Sequence, residues 1–338
     1  MSIGRSSMRR ILIAAMLLAA AMAPAAAQTK IKLMVGGIDK QAYLPVKLTD
    51  QLGHFKEQGL DVELYNSNSG SQAATALLAG EVQVVVGFYD HTIDLQAKGK
   101  HIVNVAQLSI SPGEVELVVA KDADTFSNPA NWKGHALGVT GLGSATDFLT
   151  RYLATKAGLK PSEISTIPVG AGDTMIAALQ QNRIVAGMTT EPTVSRALKM
   201  GIAKVGIDLR NPDTTRAALG GDYPSACVYV DAGWLDGNRE TVQKVVNAFI
   251  GTLKWIDAHS PEDIADKMPK DYYAGDRDLY VQGLRDGKSQ YSKDGVLSAS
   301  AAENVLRVLK AVNPAVQGKE IDLSRTYTAE FVSRANGS

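Results

Sequence analysis

Two short hydroxyl-rich segments contain the residues whose types and spacing best suggest chemistry. Ser69-Gly70-Ser71 and Gly143-Ser144-Ala145-Thr146 each place hydroxyls and a glycine at the predicted start of a helix. Free backbone N–H groups at a helix start can hold an acidic group. Serine and threonine are also ordinary helix N-caps, so capping alone explains either segment taken singly. One such segment in each half of the chain favours a binding site for an acidic ligand.

Further candidate ligand contacts follow the predicted strands, because ligands of open α/β sheets bind beyond the carboxyl ends of the strands. Asp90 and Glu191 favour a ligand with a positive or hydrogen-donating group, so the sequence leaves the ligand's charge open. The two tyrosines suit either ligand contact or the core, and His91 suits either an anionic partner or a solvated loop. The predicted ligand-binding residues are Gln41, Tyr43, Ser69, Ser71, Tyr89, Asp90, His91, Ser144, Ala145, Thr146, Thr189 and Glu191.

The remaining reactive residue types give no catalytic or metal-binding pattern. The five histidines are scattered without metal-ligand spacing, and the G-x-S-x-G, H-E-x-x-H and P-loop motifs are absent from the sequence. Cys227 lies in an apolar run, which predicts a buried small hydrophobe. The chain has 35 basic and 35 acidic residues, so it lacks the basic surface of a nucleic-acid-binding protein. We therefore predict no enzyme activity, no metal and no cofactor.

Residues 1–27 have the pattern of a secretory signal peptide. Arg5, Arg9 and Arg10 precede an apolar run at 11–23, and Ala25 and Ala27 match the small-residue cleavage site. The run has about a dozen residues, whereas a membrane-spanning helix needs roughly 20, although an uncleaved anchor is the alternative. We predict a soluble, monomeric periplasmic protein that begins at Gln28.

The elements that position these residues alternate between strand and helix. Strands are predicted at 31–35, 60–65, 82–86 and 101–108, with helices between them, and the alternation restarts at Glu116. Such alternation predicts a largely parallel sheet covered by helices. After Asp231 only helices are predicted, and we expect them to pack on the outside. About 311 residues exceed what one core usually supports, so we expect two lobes.

Several segments recur together, and in this order, in one protein family. They are 45–49 (PVKLT), 53–62 (GHFKEQGLDV), 70–71 with 77–82 (GS and LLAGEV), 143–146 (GSAT), 177–179 (AAL) and 191–192 (EP). Together they resemble the periplasmic solute-binding proteins of the nitrate/sulfonate/taurine and thiamine-precursor type, which serve ABC importers. Many relatives have tryptophan where this chain has Glu191, which puts the usual ligands of the family in doubt.

The resemblance implies a type II periplasmic-binding-protein fold, α/β, with two lobes joined by two crossing strands. The crossings are expected near 116–120 and 225–230, with lobe 1 at 28–115 and 231–338 and lobe 2 at 116–230. The implied function is capture of a small organic anion, a sulfonate or carboxylate, for a membrane permease. The alternatives are a neutral thiamine-precursor-like heterocycle and a lobe that presents its ligand to a sensor. Fungal enzymes share this fold but carry a cysteine-rich run that Cys227 alone cannot reproduce.

Overall fold

The computed structural model describes residues 28–337, and the signal peptide predicted at 1–27 lies outside the described residues. Two five-stranded sheets organise this part of the chain. The strands are β1 (Thr29–Val35), β2 (Leu60–Asn66), β3 (Val84–Phe88), β4 (Ile102–Gln107), β5 (Glu114–Val119), β6 (Ala136–Val139), β7 (Ser165–Pro168), β8 (Ala186–Thr190), β9 (Ala203–Leu209) and β10 (Ala226–Asp231).

The two sheets have the same topology. Their strand orders are β2-β1-β3-β10-β4 and β7-β6-β8-β5-β9. In each sheet one strand, β10 or β5, runs antiparallel to both of its neighbours. Each reversed strand is the first that the chain forms after leaving the other sheet, so it enters from the opposite end. The predicted parallel arrangement therefore holds for the other strands, and the α/β two-sheet architecture is confirmed.

Helices cover the sheets. They are α1 (Leu44–Leu52), α2 (His54–Glu57), α3 (Gly70–Leu78), α4 (Asp90–Ala97), α5 (Ala123–Phe126), α6 (Ala145–Lys156), α7 (Asp173–Gln180), α8 (Thr193–Lys199), α9 (Pro212–Leu219), α10 (Ala232–Gly237), α11 (Arg239–Ala258), α12 (Pro261–Lys267), α13 (Arg277–Gly287), α14 (Ala299–Val312) and α15 (Glu330–Gly337). In the described part of the chain, no helix combines the length and the apolarity needed to cross a membrane.

Two segments, 108–113 and 210–225, carry the chain between the sheets and hydrogen bond to each other. The Ser225 N–H donates to the Ser109 carbonyl at 3.1 Å, and the two hydroxyls lie 2.7 Å apart. The Ser225 hydroxyl also donates to the Ser111 carbonyl at 2.6 Å. This junction ties the two crossing segments at one point.

The crossings therefore lie at 108–113 and 210–225 rather than at the predicted positions near 116–120 and 225–230. β5 pairs within the second sheet and β10 within the first, so neither strand is itself a crossing. The apolar character of both strands reflects burial inside a sheet, which the sequence does not distinguish from burial between lobes. We propose lobe 1 as residues 28–107 and 226–337, and lobe 2 as residues 114–209.

The sequence predicted that the C-terminal helices pack on the outside of the lobes. The structure instead buries parts of two of them. α11 buries Val242, Val245, Phe249 and Leu253 in the core of the first sheet. α14 packs on α4 of lobe 1 and on α6 of lobe 2. The chain continues past the second sheet with apolar helix faces, and burying those faces requires placing them against both lobes.

Most predicted elements are present, with differences where local signals compete. Gly53, which has φ +81°, separates α1 from α2. The sequence analysis missed β9 and α9. β9 contains Lys204, Gly206 and Asp208, residue types that are uncommon in strands, and it lies at the edge of its sheet. Ser260 and Asp263 form a capping box at the start of α12.

The junction between the crossing segments supplies a stability test. Changing Ser225 to Ala removes the hydroxyl that bonds Ser109 and Ser111. The Ser111 carbonyl loses this donor, whereas the Ser109 hydroxyl still accepts the Ala226 N–H. We expect the free energy of unfolding to fall by about 1–3 kcal/mol in urea denaturation. Ser333→Ala, at an exposed helical serine, is the control and should change it by less than about 0.5 kcal/mol. Equal effects of the two substitutions would contradict this role of the junction.

Candidate ligand-binding site

A small inner cavity and a wider cleft lie between the two lobes, and Lys40 and Thr140 line both of them. The inner cavity has a volume of about 10 Å³, which is about the space that one water molecule needs. The cleft beside it has a volume of about 810 Å³ and lies between 37–40 and 66–72 of lobe 1 and 140–142 and 168–174 of lobe 2. The inner cavity is lined by Lys40, Ala42, Tyr43, Gly70, Phe88, His91, Glu114, Thr140, Ser144, Ala145, Thr146 and Thr190.

Direct contacts close the lobes around this cavity. The Gln41 N–H donates to the Glu191 carbonyl at 3.0 Å, and the Ser71 hydroxyl donates to the Leu142 carbonyl at 3.3 Å. Farther from the cavity, Lys199 of α8 forms an ion pair with Asp276, which caps α13. These contacts join residues of opposite lobes, so the conformation is a closed one.

The hydroxyls at the start of α6 bond mainly to one another. Ser144 Oγ lies 2.8 Å from Thr146 Oγ1, and Thr146 Oγ1 lies 3.0 Å from Thr140 Oγ1. The Ser144 hydroxyl donates to the Gly141 carbonyl at 2.7 Å, and Ser144 makes no side-chain cap. The Asp147 carboxylate already accepts the Gly143 N–H at 2.9 Å. This helix start is therefore less available to an anionic ligand than its sequence suggests.

The helix start in lobe 1 is more open. Ser69 caps α3 by accepting the Gln72 N–H at 3.4 Å. Ser71, in the same turn, lies on the wall of the cleft with its hydroxyl directed toward lobe 2. A β-carbon on Gly70 would approach His91 Nε2 to 2.6 Å, so glycine is required there for His91 to reach the cavity.

The structure distributes the predicted residues over three environments. The inner cavity is lined by Tyr43, His91, Ser144, Ala145 and Thr146. Ser69 and Ser71 line the wider cleft. Gln41, Tyr89, Asp90, Thr189 and Glu191 line neither space.

Two of these predicted contacts have other structural roles. Tyr89 is fully buried, with its hydroxyl 2.6 Å from Thr326 Oγ1 and its ring against Tyr327. The Glu191 carboxylate accepts from Arg210 Nη1 at 3.0 Å and from the Ser195 N–H at 3.0 Å. The sequence missed Arg210 because β9 was not predicted, and Arg210 follows directly after that strand.

Lys40 and Glu114 are cavity residues that the sequence reasoning did not select. Lys40 Nζ donates to the Gly36 carbonyl at 2.7 Å, and burial lowers the pKa of the Lys40 ammonium. Glu114 is 3% exposed, and burial, with a smaller contribution from Asp90, raises the pKa of its carboxyl well above the usual value. The available signal was a pair of acidic residues, Glu114 and Glu116, in a strand whose other residues are apolar. A buried acid requires a partner or a function.

Two further acidic residues, Asp90 and Glu116, are buried near Glu114. Asp90, predicted in a loop, lies in the first turn of α4, fully buried, with Oδ2 3.4 Å from the Tyr223 hydroxyl. Burial raises the pKa of Asp90. Glu116 accepts from the Thr150 hydroxyl at 2.8 Å, and burial raises the pKa of Glu116 to about 8.

Comparison with known proteins identifies the family of this chain. The model of the NMT1-like family matches residues 26–268. The chain belongs to the NMT1-like family. A curated relative, a 4-amino-5-hydroxymethyl-2-methylpyrimidine phosphate synthase of Saccharomyces cerevisiae, is 25% identical over 90% of this chain and 88% of its own length.

Solved structures support the fold of this NMT1-like protein. A structure from Bordetella bronchiseptica is 33% identical, with a TM-score of 0.86, and the match covers 92% of this chain and 98% of that one. The periplasmic nitrate-binding protein NrtA of Synechocystis has a TM-score of 0.74 at 16% identity, with coverages of 92% and 89%. The ligand-binding component of an ABC-type import system from Staphylococcus aureus has a TM-score of 0.70 at 18% identity, with coverages of 92% and 100%. The expected periplasmic-binding-protein fold is confirmed.

Glu116 makes the stability of this NMT1-like protein depend on pH. Its pKa rises from 4.5 to about 8 on folding, so between these values the folded protein binds more protons than the unfolded chain. The free energy of unfolding should therefore fall as pH rises from 5 to 8, by at most about 1.4 kcal/mol per pH unit for this group. Glu116→Gln keeps the Thr150 hydrogen bond and should lose less stability over that range in urea denaturation.

Glu114 and Asp90 titrate in the same sense and remain in the variant, so they contribute to both curves. The difference between the two proteins reports the Glu116 carboxyl together with its repulsion of Glu114. Parallel stability curves for the wild type and Glu116→Gln between pH 5 and 8 would disprove the raised pKa.

Proposed function

We propose that this protein is the periplasmic substrate-binding component of an ABC importer, which captures a small organic ligand between its lobes and delivers it to a membrane permease. This proposal rests on one observation: residues of both lobes line one cavity, and direct hydrogen bonds between the lobes close them over it. A ligand that contacts both lobes stabilises the closed conformation, which a permease can distinguish from the open one. The signal-peptide pattern at 1–27 supports the periplasmic location.

In this proposal the ligand has an acidic end, which is a sulfonate or a carboxylate. Lys40 and the start of α3, with Ser71, support it from lobe 1. A helix start contributes at most about 2 kcal/mol to a charge, whereas micromolar binding requires about 8 kcal/mol. Most of the affinity must therefore come from desolvated hydrogen bonds and from contact with Tyr43 and Phe88, whose rings pack edge to face at 5.8 Å.

A binding role fits the reactive groups better than catalysis does. Cys227 is fully buried in β10, as the sequence predicted, and burial raises the pKa of its thiol well above the usual value. A nucleophilic cysteine requires the opposite shift and access to solvent. The Ser144 hydroxyl bonds to the Gly141 carbonyl and to the Thr146 hydroxyl, which also bonds to Thr140. Within residues 28–337, neither hydroxyl hydrogen bonds to a histidine or a carboxylate that could act as a base.

Ligand-induced closure is the testable consequence. A thermal-shift screen of residues 28–338 against small sulfonates and carboxylates, with and without amino groups, should identify compounds that raise the melting temperature. Small-angle scattering with a stabilising compound should show a smaller radius of gyration. We expect saturable binding together with compaction, because contacts to both lobes exist only when the lobes are closed.

Gly141→Ala tests closure itself. A β-carbon on Gly141 of lobe 2 would lie 2.9 Å from Ser69 Cβ and Oγ of lobe 1, so alanine should hold the cleft open. We expect affinity to fall by about tenfold or more and ligand-induced compaction to be lost. Gly237→Ala, at an exposed glycine with open space around it, is the matched control. Binding without compaction in the wild type, or full affinity in Gly141→Ala, would refute the closing-lobe function.

A further inference from the structure

One carboxylate in the inner cavity lacks the partner that its burial requires. Glu114 Oε2 is buried and has no hydrogen-bond partner within residues 28–337, and the whole residue is 3% exposed. By contrast, the Glu191 carboxylate, equally buried, accepts from Arg210 and from the Ser195 N–H. Buried charges in proteins are normally paired or neutralised, so the difference between the two acids requires an explanation.

The neighbouring protein groups do not supply the missing partner. Lys40 attracts the Glu114 carboxylate, but its Nζ donates to the Gly36 carbonyl at 2.7 Å. Asp90 and Glu116 repel it, and together with burial they raise its pKa. A ligand that placed an anionic group beside the Glu114 carboxylate would add to this repulsion.

Glu114 is the first residue of β5 and lies at the end of that strand that borders the inner cavity. Glu114 and Glu116 lie on the same face of β5, and Glu116 bonds to Thr150 of α6. Two residues along a strand and four along a helix both advance about 6–7 Å, so Glu114 lies near the first turn of α6. Glu114 and Thr146 accordingly line the same cavity, together with Tyr43 and Phe88.

We propose that Glu114 determines specificity by accepting hydrogen bonds from an N–H group of the ligand. The ligand is then a compact molecule that carries a nitrogen donor, and in the simplest case an acidic end as well. The donor nitrogen lies at Glu114 beside the aromatic rings of Tyr43 and Phe88. Any acidic end points toward Lys40 and Ser71 at the start of α3. This inference rests on the proposed ligand-binding function and names the chemistry of its ligand.

The experiment compares compounds that differ only in the nitrogen donor. Isothermal titration calorimetry would pair taurine with ethanesulfonate, β-alanine with propionate, and 4-aminopyrimidine with pyrimidine. We expect the amino member of at least one pair to bind about tenfold or more tightly, which corresponds to about 1.4 kcal/mol. Preference within the first two pairs identifies a protonated amine, and preference within the third alone identifies a neutral amino heterocycle.

Glu114→Met should abolish that preference, because methionine has a similar length and lacks both the charge and the acceptor oxygens. Glu114→Gln removes the charge alone and keeps one acceptor oxygen. Glu116→Gln changes the next acid on the same face of β5 and should retain the preference. Equal binding within every pair, or a preference that survives in Glu114→Met, would overturn the assignment of Glu114. Tighter binding of the plain acids, unchanged in Glu114→Gln, would instead indicate that a protonated Glu114 donates to an anion. Absence of binding and compaction across the whole set would overturn the ligand-binding function itself.

Discussion

The hydrogen-bonded junction of the two crossing segments is the constraint on which the cleft depends. Ser109, Ser111 and Ser225 join the segments where they pass between the sheets. β5 begins with Glu114 just after the first crossing, and Arg210 follows β9 at the start of the second. The junction therefore places one acidic and one basic residue between the lobes, in positions that neither sheet alone defines.

The pairing of buried charges separates structural residues from candidate ligand contacts. Arg210 bonds to Asp208 and Glu191 in lobe 2 and to Asp286 of α13, so this network joins the lobes. Among residues 28–337, Asp90 Oδ1, Glu114 Oε2 and Glu116 Oε1 are buried without a hydrogen-bond partner, and of these three acids Glu114 lines the cavity. Removing one member of a satisfied buried pair destabilises a protein, whereas an unsatisfied acid in a cavity is available to a ligand. The same residue type thus has two roles, which its surroundings determine.

Local patterns were sufficient for most elements and for part of the site. The rule that ligands bind beyond strand ends selected the loops that contain Tyr43, Ser71 and Ser144, and these three residues line the cavity or cleft. It also selected Tyr89 and Glu191, which pair with Thr326 and Arg210 instead. Those partners come from distant parts of the chain, so their contacts have no local signature.

The sequence by itself determined the alternation of strands and helices, the family and the fold class, because apolar periodicity and short motifs are local properties. Tertiary structure decided the direction of β5 and β10, the placement of α14 across both lobes and the charges that face the cavity. It also decided that the Ser144 and Thr146 hydroxyls satisfy each other while the Glu114 carboxylate remains unpaired. The physical reason is that hydrogen-bond satisfaction depends on which groups burial brings together, and that depends on contacts between residues far apart in the chain.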